Sequence, residues 1–202
     1  IAMTNLRMIA LVNALLNTSR VDVGSFMIMP QSIDVAKEIK SMVEEVAADS
    51  AKKRLTVKLQ ATNRKMLYSA DPTILRIIIQ NLLTNAIRYT PDGGKITISY
   101  ILDAQWLSVT VSDTGMGIPA EEQSKIFEKM HRAQNAIAAV PNGSGLGLYI
   151  VKAIVDNSGG KITFDSTVGK GTTFLVRWPA RGWKSRSGNR ELSYQAQNQY
   201  TM

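Results

Sequence analysis

The chain has 202 residues, of which 45% are hydrophobic and 20% charged, and it carries no cysteine. These values fit one well-packed domain with a smaller appendage, and they exclude disulfide bonds and thiolate metal sites. The formal net charge of +8 raises nucleic acid or an anionic membrane as partners. Most of the basic residues are scattered singly, however, so we expect a solvated surface and no nucleic-acid partner.

The sequence contains no uncharged apolar run of about 18 residues, so no membrane-spanning helix is expected within it. The chain begins at Ile1, without an initiator methionine or a secretion signal, which is typical of a fragment of a longer protein. We expect a cytoplasmic location, with any membrane attachment made only by segments upstream of this sequence.

The first part of the chain predicts two helices and a strand. Apolar residues at helical spacing in residues 3–19 predict an amphipathic helix that Gly24 ends. A second helix is predicted from about Ser32. Residues 55–61 alternate between apolar and polar side chains, as in a strand with one buried face.

The central part predicts a long helix followed by a hairpin. Asp71 should cap this helix, with Pro72 at its first position, and the helix should end at about Thr90. Residues 96–100 and 107–111 predict two antiparallel strands.

The last part predicts helices, a second hairpin and a tail. A short helix from Pro119, a loose stretch at 132–142 and a helix at 146–156 precede a hairpin at 162–178. Residues 180–202 are rich in Ser, Asn, Gln and Arg and predict a mobile tail. The order of elements predicts an α+β fold, a two-layer sandwich with helices on one face of a mixed, mainly antiparallel sheet.

Two asparagines lie four residues apart on the otherwise apolar long helix. Asn81 and Asn85 should project from one face, with Arg88 and Tyr89 one turn further on. A solvent-facing polar stripe explains this motif when it is taken alone. Amide oxygens also suit Mg2+, which takes few protein ligands and fills its other positions with water and phosphate.

A carboxylate ends the second strand of the first hairpin. Asp113 has the parity of the apolar positions of its strand, so it should point inward just before Gly115 and Gly117. It could cap a turn or accept a hydrogen bond at the bottom of a ligand pocket. The Asp-Thr-Gly tripeptide also matches aspartic proteases, but no second copy is present, so that interpretation would need a homodimer.

A glycine-rich segment at residues 143–147 runs directly into an apolar helix. Free backbone N–H groups and the positive end of the helix dipole would face an anion there. The segment matches neither the dinucleotide fingerprint nor the Walker loop, so taken alone it fits a structural loop equally well.

In sequence order these elements resemble the ATP-binding domain of sensor histidine kinases, in the GHKL superfamily that includes DNA gyrase and heat-shock chaperones. The resemblance covers roughly residues 30–179. Residues 81–90 resemble the N box, 113–119 the first glycine box, 126–132 the F box, 143–148 the second glycine box and 169–174 the closing hairpin.

The resemblance implies a site for Mg-ATP. The residues implied to bind the nucleotide are Asn81, Asn85, Arg88, Tyr89, Asp113, Gly115, Gly117, Ile118, Phe127, Arg132, Gly143, Ser144, Gly145, Leu146, Gly147, Leu148 and Thr172. Asp113 would accept a hydrogen bond from the adenine amino group, and Asn85, assisted by Asn81, would bind Mg2+. Tyr89 would lie along the base, and Thr172 would help to hold it.

The resemblance also implies a closing lid and a distant phosphate acceptor. Arg88 and Arg132 would neutralise phosphates, and residues 127–145 would form a mobile lid. The only histidine, His131, lies within that lid and is a poor acceptor, so the acceptor histidine is expected upstream. No catalytic residue is assigned with certainty, although Asn81 and Arg132 are candidate assistants.

Three regions follow from the resemblance. Residues 1–24 resemble the second helix of the dimerisation and phosphotransfer bundle, 25–179 form the catalytic domain, and 180–202 form a flexible basic tail. The implied partners are a second copy, bound through the helical bundle, and the receiver domain of a response regulator.

The expected function is ATP-dependent transfer of a phosphoryl group to a protein histidine, followed by relay to a response-regulator aspartate. Gyrase-like members carry a glutamate where this chain has Asn81, and an amide is a weaker base for water, which disfavours hydrolysis. A nucleotide-gated interaction module and a GHKL ATPase without phosphotransfer remain as alternatives.

Overall fold

A computed structural model describes residues 2–60, 65–141, 143–188 and 192 of the chain. The helices are α1 (Ala2–Asp22), α2 (Val35–Glu45), α3 (Ala47–Lys52), α4 (Pro72–Tyr89), α5 (Gln134–Ala139) and α6 (Gly147–Asn157), with a 3-10 helix at Ala120–Lys125. The strands are β1 (Gln31–Asp34), β2 (Thr56–Gln60), β3 (Leu67–Ala70), β4 (Lys95–Leu102), β5 (Trp106–Asp113), β6 (Lys161–Thr167) and β7 (Gly171–Pro179). None of the described helices is both long and apolar enough to cross a bilayer.

The main sheet has five strands in the order β2-β4-β5-β7-β6. The pairing of β2 with β4 is parallel, and the other neighbours are antiparallel. Strands β1 and β3 form a separate antiparallel pair. The predicted α+β fold, with a mixed and mainly antiparallel sheet, is therefore confirmed.

The core lies between one face of this sheet and the helices α4 and α6. Alternate residues of the central strands are buried on that face, including Ile98, Val109 and Val176, none of which is exposed to solvent. Trp178 is also fully buried, and its indole Nε1 donates to Ser158 Oγ at 2.9 Å. Each such side chain contributes about 1.5–3 kcal/mol to folding relative to an exposed position.

Helix α4 is fixed at both ends by side chains. At its start, Asp71 Oδ1 accepts from the backbone N–H groups of Thr73 and Ile74, at 3.0 and 3.1 Å, so the predicted cap is confirmed. At its end, Lys53 Nζ donates to the carbonyl oxygen of Ile87 at 2.8 Å and to that of Arg88 at 3.1 Å. A lysine at this position satisfies carbonyls that the helix leaves unpaired and opposes the negative end of its dipole.

The prediction for the second helix was wrong in its start. Helix α2 begins at Val35, and not at Ser32, because the preceding four residues pair with β3. Asp34 then caps the helix, accepting from Ala36 N at 3.1 Å. Strands β1 and β3 have four residues each, too few for alternation to reveal them.

Two predicted irregular segments have structure. Helix α5 occupies Gln134–Ala139, within the stretch predicted to be loose. The first part of the predicted tail also has structure, because Trp183 is buried and Arg186 forms a β-bridge with Ile28. Apart from Leu192, the rest of the predicted tail lies outside the described residues.

Candidate nucleotide-binding site

Asp113 lies at the end of β5, between Ile96 of β4 and Thr172 of β7. Its Oδ1 accepts from the backbone N–H groups of Gly115, at 2.7 Å, and Thr172, at 3.2 Å. Burial raises the pKa of Asp113 above its ordinary value, and these two hydrogen bonds oppose the rise. Its Oδ2 accepts no hydrogen bond from any described residue, which leaves it available to a donor group on a ligand.

The glycines of the loop after β5 allow very close packing. A Cβ at Gly115 would lie 2.5 Å from Asp113 Oδ1 and 2.8 Å from the carbonyl oxygen of Tyr89. Gly117 has a φ of +69°, and a Cβ there would lie 2.1 Å from the carbonyl oxygen of Thr167. A side chain at either position would push the loop away from the carboxylate that it holds.

A hydroxyl network supports the same corner of the site. Thr172 Oγ1 lies 2.9 Å from Ser166 Oγ, and Ser166 Oγ accepts from Ile118 N at 2.9 Å. The predicted residues Ile118 and Thr172 are therefore joined through Ser166, which the sequence analysis missed. Ser166 is one of several polar residues on β6, and no feature of the sequence distinguishes it from its neighbours.

The predicted asparagines both lie on α4, and Asn81 lies against the second glycine box. Asn81 Nδ2 donates to the carbonyl oxygen of Ile77 at 2.7 Å, which fixes the orientation of its amide. A Cβ at Gly147 would lie 2.8 Å from Asn81 Oδ1, so this oxygen contacts the start of α6. Asn85 is half-buried, and its side chain makes no hydrogen bond to a described residue.

The second glycine box turns sharply into α6. Gly145 has a φ of +69°, and a Cβ there would lie 2.7 Å from the backbone of Met130. Ser144 Oγ accepts from Leu146 N at 3.3 Å, and Leu146 is buried. The first-turn N–H groups of α6, including that of Leu148, point toward the end of the helix that faces Asn81, where an anion would be stabilised.

The lid segment packs against the first glycine box. Asn135, at the start of α5, donates through Nδ2 to the carbonyl oxygen of Gly117 at 2.9 Å. Phe127, at the root of the lid, packs edge-on against Phe164 with ring centroids 5.8 Å apart. Asn135 is a second contact residue that the sequence analysis missed, because its neighbours are small or polar residues without a motif.

Arg132 is bound to the carbonyl groups of its own lid. Its Nη1 donates to Pro141 O at 2.8 Å, and its Nη2 donates to Ala136 O at 3.0 Å and to Val140 O. A Cβ at Gly143 would lie 2.9 Å from the guanidinium, so this glycine makes room for it. Its Nε is buried without a hydrogen-bond partner among the described residues. Three of the five N–H donors of the guanidinium are therefore engaged by carbonyls of the lid.

The end of α4 joins the two halves of the site. The carbonyl oxygen of Tyr89 accepts from Met116 N at 3.2 Å, which places Tyr89 against the first glycine box. Arg88, beside it, is exposed. Asn81, about two turns earlier on α4, contacts the start of α6. Residues 81–89 of α4 therefore span about 12 Å between the loop that holds Asp113 and the start of α6.

The donor set around α4 is suited to a hard cation with few protein ligands. Within residues 2–60, 65–141, 143–188 and 192, no three His, Cys, Asp or Glu side chains are grouped so as to hold a metal ion. Asn85, with an amide oxygen that no described residue engages, is the fitting ligand type for Mg2+ held mainly by phosphates and water.

A family model described as histidine kinase-, DNA gyrase B- and HSP90-like ATPase matches residues 70–182, more than half of the chain. The chain therefore belongs to this family of ATP-binding domains, and the resemblance drawn from the ordered motifs is confirmed.

Sensor histidine kinases are among the relatives of this chain. The circadian input-output histidine kinase CikA of Synechococcus elongatus is 34% identical over 175 residues, covering 85% of this chain and 23% of that protein. The sensor histidine kinase WalK of Bacillus subtilis is 30% identical over 175 residues, covering 86% of this chain and 28% of that protein. The chain thus spans about a quarter of the length of these relatives.

Solved structures share the fold. The nucleotide-free catalytic domain of the histidine kinase ThkA is 26% identical with a TM-score of 0.66, covering 75% of this chain and 98% of that chain. Full-length ShkA in complex with AMPPNP has a TM-score of 0.78 at 21% identity, covering 91% of this chain and 38% of that chain. At this lower identity the likeness to ShkA shows the fold alone.

Proposed function

We propose that this chain binds Mg-ATP and forms the catalytic portion of a sensor histidine kinase. In this proposal the γ-phosphoryl group passes to a histidine on a dimeric helical bundle and then to an aspartate of a response-regulator receiver domain. The observation that carries the proposal is the bridging position of α4, which contacts the Asp113 loop at Tyr89 and the start of α6 at Asn81. This span suits an extended nucleoside triphosphate.

The base end of the nucleotide is assigned to Asp113. Its free Oδ2 would accept from the adenine amino group, while Gly115 and Thr172 hold Oδ1 in place. Thr172 and Ser166 would support the base from the neighbouring strands. Tyr89 would lie along the base.

The phosphate end is assigned to α4 and the start of α6. The free N–H groups of the first turn of α6 would bind phosphate oxygens, with Arg88 nearby on α4. Asn85, assisted by Asn81, would hold Mg2+, which would neutralise charge on the phosphates. Arg132 would leave the lid carbonyls and turn toward the phosphates when the nucleotide binds.

The lid would exclude water while the phosphoryl group is transferred. In-line transfer depends mainly on positioning and on neutralised charge, and the protein performs little covalent chemistry. Asn81 has its amide held by the carbonyl oxygen of Ile77 and offers no carboxylate to deprotonate water. This supports transfer to a side chain over hydrolysis.

His131 is not the acceptor in this proposal. Its Nε2 lies 3.3 Å from Glu122 Oε2, and its side chain is 21% exposed at the root of the lid. The acceptor is assigned to a bundle helix expected upstream of α1, and the second copy of the protein contributes the remaining helices of the bundle.

The test is transfer of label. The chain is joined to a histidine-bearing helical bundle and incubated with Mg2+ and γ-labelled ATP, and the expected product is an acid-labile phosphoprotein. An Asn85→Ala version should bind and transfer far less. Measurable ATP binding without label would refute the kinase assignment, and steady phosphate release without label would identify an ATPase instead.

A further inference from the structure

The segment that follows β7, residues 180–188, folds back over the start of the ATP-binding domain, and we name it the C-terminal strap. Trp183 is 5% exposed, and its ring centroid lies 5.3 Å from that of Trp178. The backbone N–H of Trp183 donates to the carbonyl oxygen of Ser69 on β3 at 2.8 Å. The strap is therefore anchored in the core at a buried aromatic pair.

Beyond Trp183 the strap pairs with the linker that follows α1. Ile28 and Arg186 form an antiparallel bridge, with both backbone hydrogen bonds at 3.0 Å. A Cβ at Gly188 would lie 2.5 Å from the backbone of Phe26, so a glycine is needed for this close approach. Phe26 and Ile28 are fully buried, which makes the linker part of the core.

The side chain of Arg186 joins three elements at this point. Its guanidinium lies 5.0 Å from the centroid of the Phe26 ring, within the range of a cation-π contact. Its Nη2 donates to the carbonyl oxygen of Gly24, just after α1, at 2.9 Å. Its Nη1 donates to Asn157 Oδ1 at the end of α6. One side chain thus connects the end of α1, the linker and α6.

A second contact holds the end of α1 near the root of the lid, but it is weaker. Asp22 Oδ2 accepts from Lys129 Nζ at 2.7 Å, and Asp22 also accepts from the Tyr149 hydroxyl. These partners are partly exposed, and ion pairs near the surface contribute little to stability. Helix α1 also packs on α6, and Val21 near its end is buried, so the strap adds its hydrogen bonds to an existing contact.

We propose that the C-terminal strap is a clamp that fixes the orientation of α1 relative to the ATP-binding domain. Its contacts with Ser69, Gly24, Phe26 and Asn157 involve none of the residues assigned to the nucleotide, so releasing the strap should free the joint and leave nucleotide binding unchanged. The clamp itself does not depend on the proposed function. The effect of the clamp on how far a bound nucleotide can extend toward the helical bundle does rest on the proposed function.

The test measures the distance between α1 and the sheet in the whole 202-residue chain. Because the chain has no cysteine, two can be introduced without background labelling, at Val12 (49% exposed) and Ile101 (63% exposed). Spin labels at both positions report the distance by pulsed dipolar spectroscopy, with labelled chains diluted in unlabelled chains to remove distances between copies.

Arg186→Ala is compared with Lys184→Ala, a matched change of an exposed cation on the same strap. We expect a single narrow distance distribution in the parent and in Lys184→Ala, and a distribution at least twice as broad in Arg186→Ala. The affinity for an ATP analogue should stay within about twofold in all three proteins. An unchanged distribution in a folded Arg186→Ala protein would overturn the proposal, and so would a parallel loss of nucleotide affinity.

A second measurement tests the proposal if the Arg186→Ala protein fails to fold. In the parent chain, hydrogen exchange of the Ile28 amide should be at least 100-fold slower than that of the exposed Asp92, whose N–H makes no hydrogen bond to a described residue. An Ile28 amide that exchanges as fast as Asp92 would show that the strap does not hold the linker. Loss of label transfer with an intact clamp would refute the proposed function alone.

Discussion

The two carboxylate oxygens of Asp113 have different roles in the proposed site: one holds the loop, and the other is open to the ligand. Oδ1 is held by two backbone N–H groups, and Oδ2 accepts no hydrogen bond from a described residue. An asparagine at this position would keep its oxygen on the two N–H groups and turn its NH2 group toward the adenine amino group. Two donors would then face one another, which a buried site does not tolerate.

We therefore predict that Asp113→Asn weakens ATP binding by about 10- to 100-fold, the equivalent of one charge-assisted hydrogen bond. The melting temperature without nucleotide should not fall, because burial already disfavours the charged form of Asp113. Calorimetric titration measures the affinity. Asp165→Asn, an exposed change on β6, is the matched control and should leave the affinity unchanged.

The pH dependence of binding should follow the same residue. The pKa of Asp113 is raised above 3.8, and since Oδ1 is occupied, the proton goes to Oδ2. ATP affinity should therefore fall as the pH drops through the pKa of Asp113. The contribution of Asp113 to the stability of the nucleotide-free protein should rise over the same interval, because the folded state binds this proton more tightly than the unfolded state. The assignment of this pH dependence to Asp113 would be contradicted if ATP affinity and melting temperature fell together as the pH decreased and the Asp113→Asn protein showed the same trend.

Ser166 connects two residues of the site that lie on different segments. Ser166→Ala would remove the bonds to Thr172 Oγ1 and Ile118 N and leave the latter N–H unpaired. We expect a loss of about 1 kcal/mol in stability and a several-fold weaker affinity for ATP. Urea denaturation and titration check both effects, and Ser108→Ala on β5 serves as the control. Full affinity in Ser166→Ala would remove this serine from the site.

At the scale of elements, α4 determines where the two ends of the site lie. Its start is capped by Asp71 and its end by Lys53, a residue from the loop after α3. The sequence shows Lys53 only as part of a basic triplet, and no periodicity indicates that its ammonium group reaches helix carbonyls 34 residues away.

Lys53→Ala should destabilise the protein by about 1 kcal/mol, since it removes a charged donor from the negative end of a helix. Lys52→Ala, its exposed neighbour, should cost less than half as much because its ion pair with Asp49 is on the surface. The urea midpoints of the two variants give the comparison. Equal losses would show that the carbonyl contacts of Lys53 add nothing to stability.

The sequence predicted those elements whose signal is local and long. Helix α4 and the β4-β5 hairpin show clear periodicity and capping, so their bounds and inward faces were predictable. Strands β1 and β3 form only because they pair across more than 30 residues, and that pairing leaves no local pattern. The composition of the strap predicts a mobile tail, whereas in the structure one buried residue, Trp183, anchors it.

Only those residues of the candidate site that belong to recognisable sequence motifs could be predicted. The ordered boxes predicted Asp113, the asparagines and both glycine segments as site residues. Ser166 and Asn135 were missed because each acts through a hydrogen bond to backbone or to one hydroxyl, a role that many polar residues can fill. The present position of Arg132, bound to lid carbonyls, also depends on the conformation of the lid and not on its sequence.

At the scale of the whole molecule, we propose that the chain combines a nucleotide site, a lid and a clamped joint to α1. The lid segment contacts the first glycine box through Asn135, and the strap pairs with the linker at Ile28. The two connections share no residue, so nucleotide binding should order the lid without altering exchange in the strap.

The most direct test of the central claim is hydrogen exchange measured over increasing concentrations of Mg2+ with a non-hydrolysable ATP analogue. We predict protection in three separate segments, at residues 113–119, 127–147 and 171–174, with one common half-saturating concentration. Omitting Mg2+ should raise that concentration in all three segments. Protection confined to one segment, or half-saturating concentrations that differ between segments, would contradict a single site built from the carboxylate, the asparagine helix and the glycine lid.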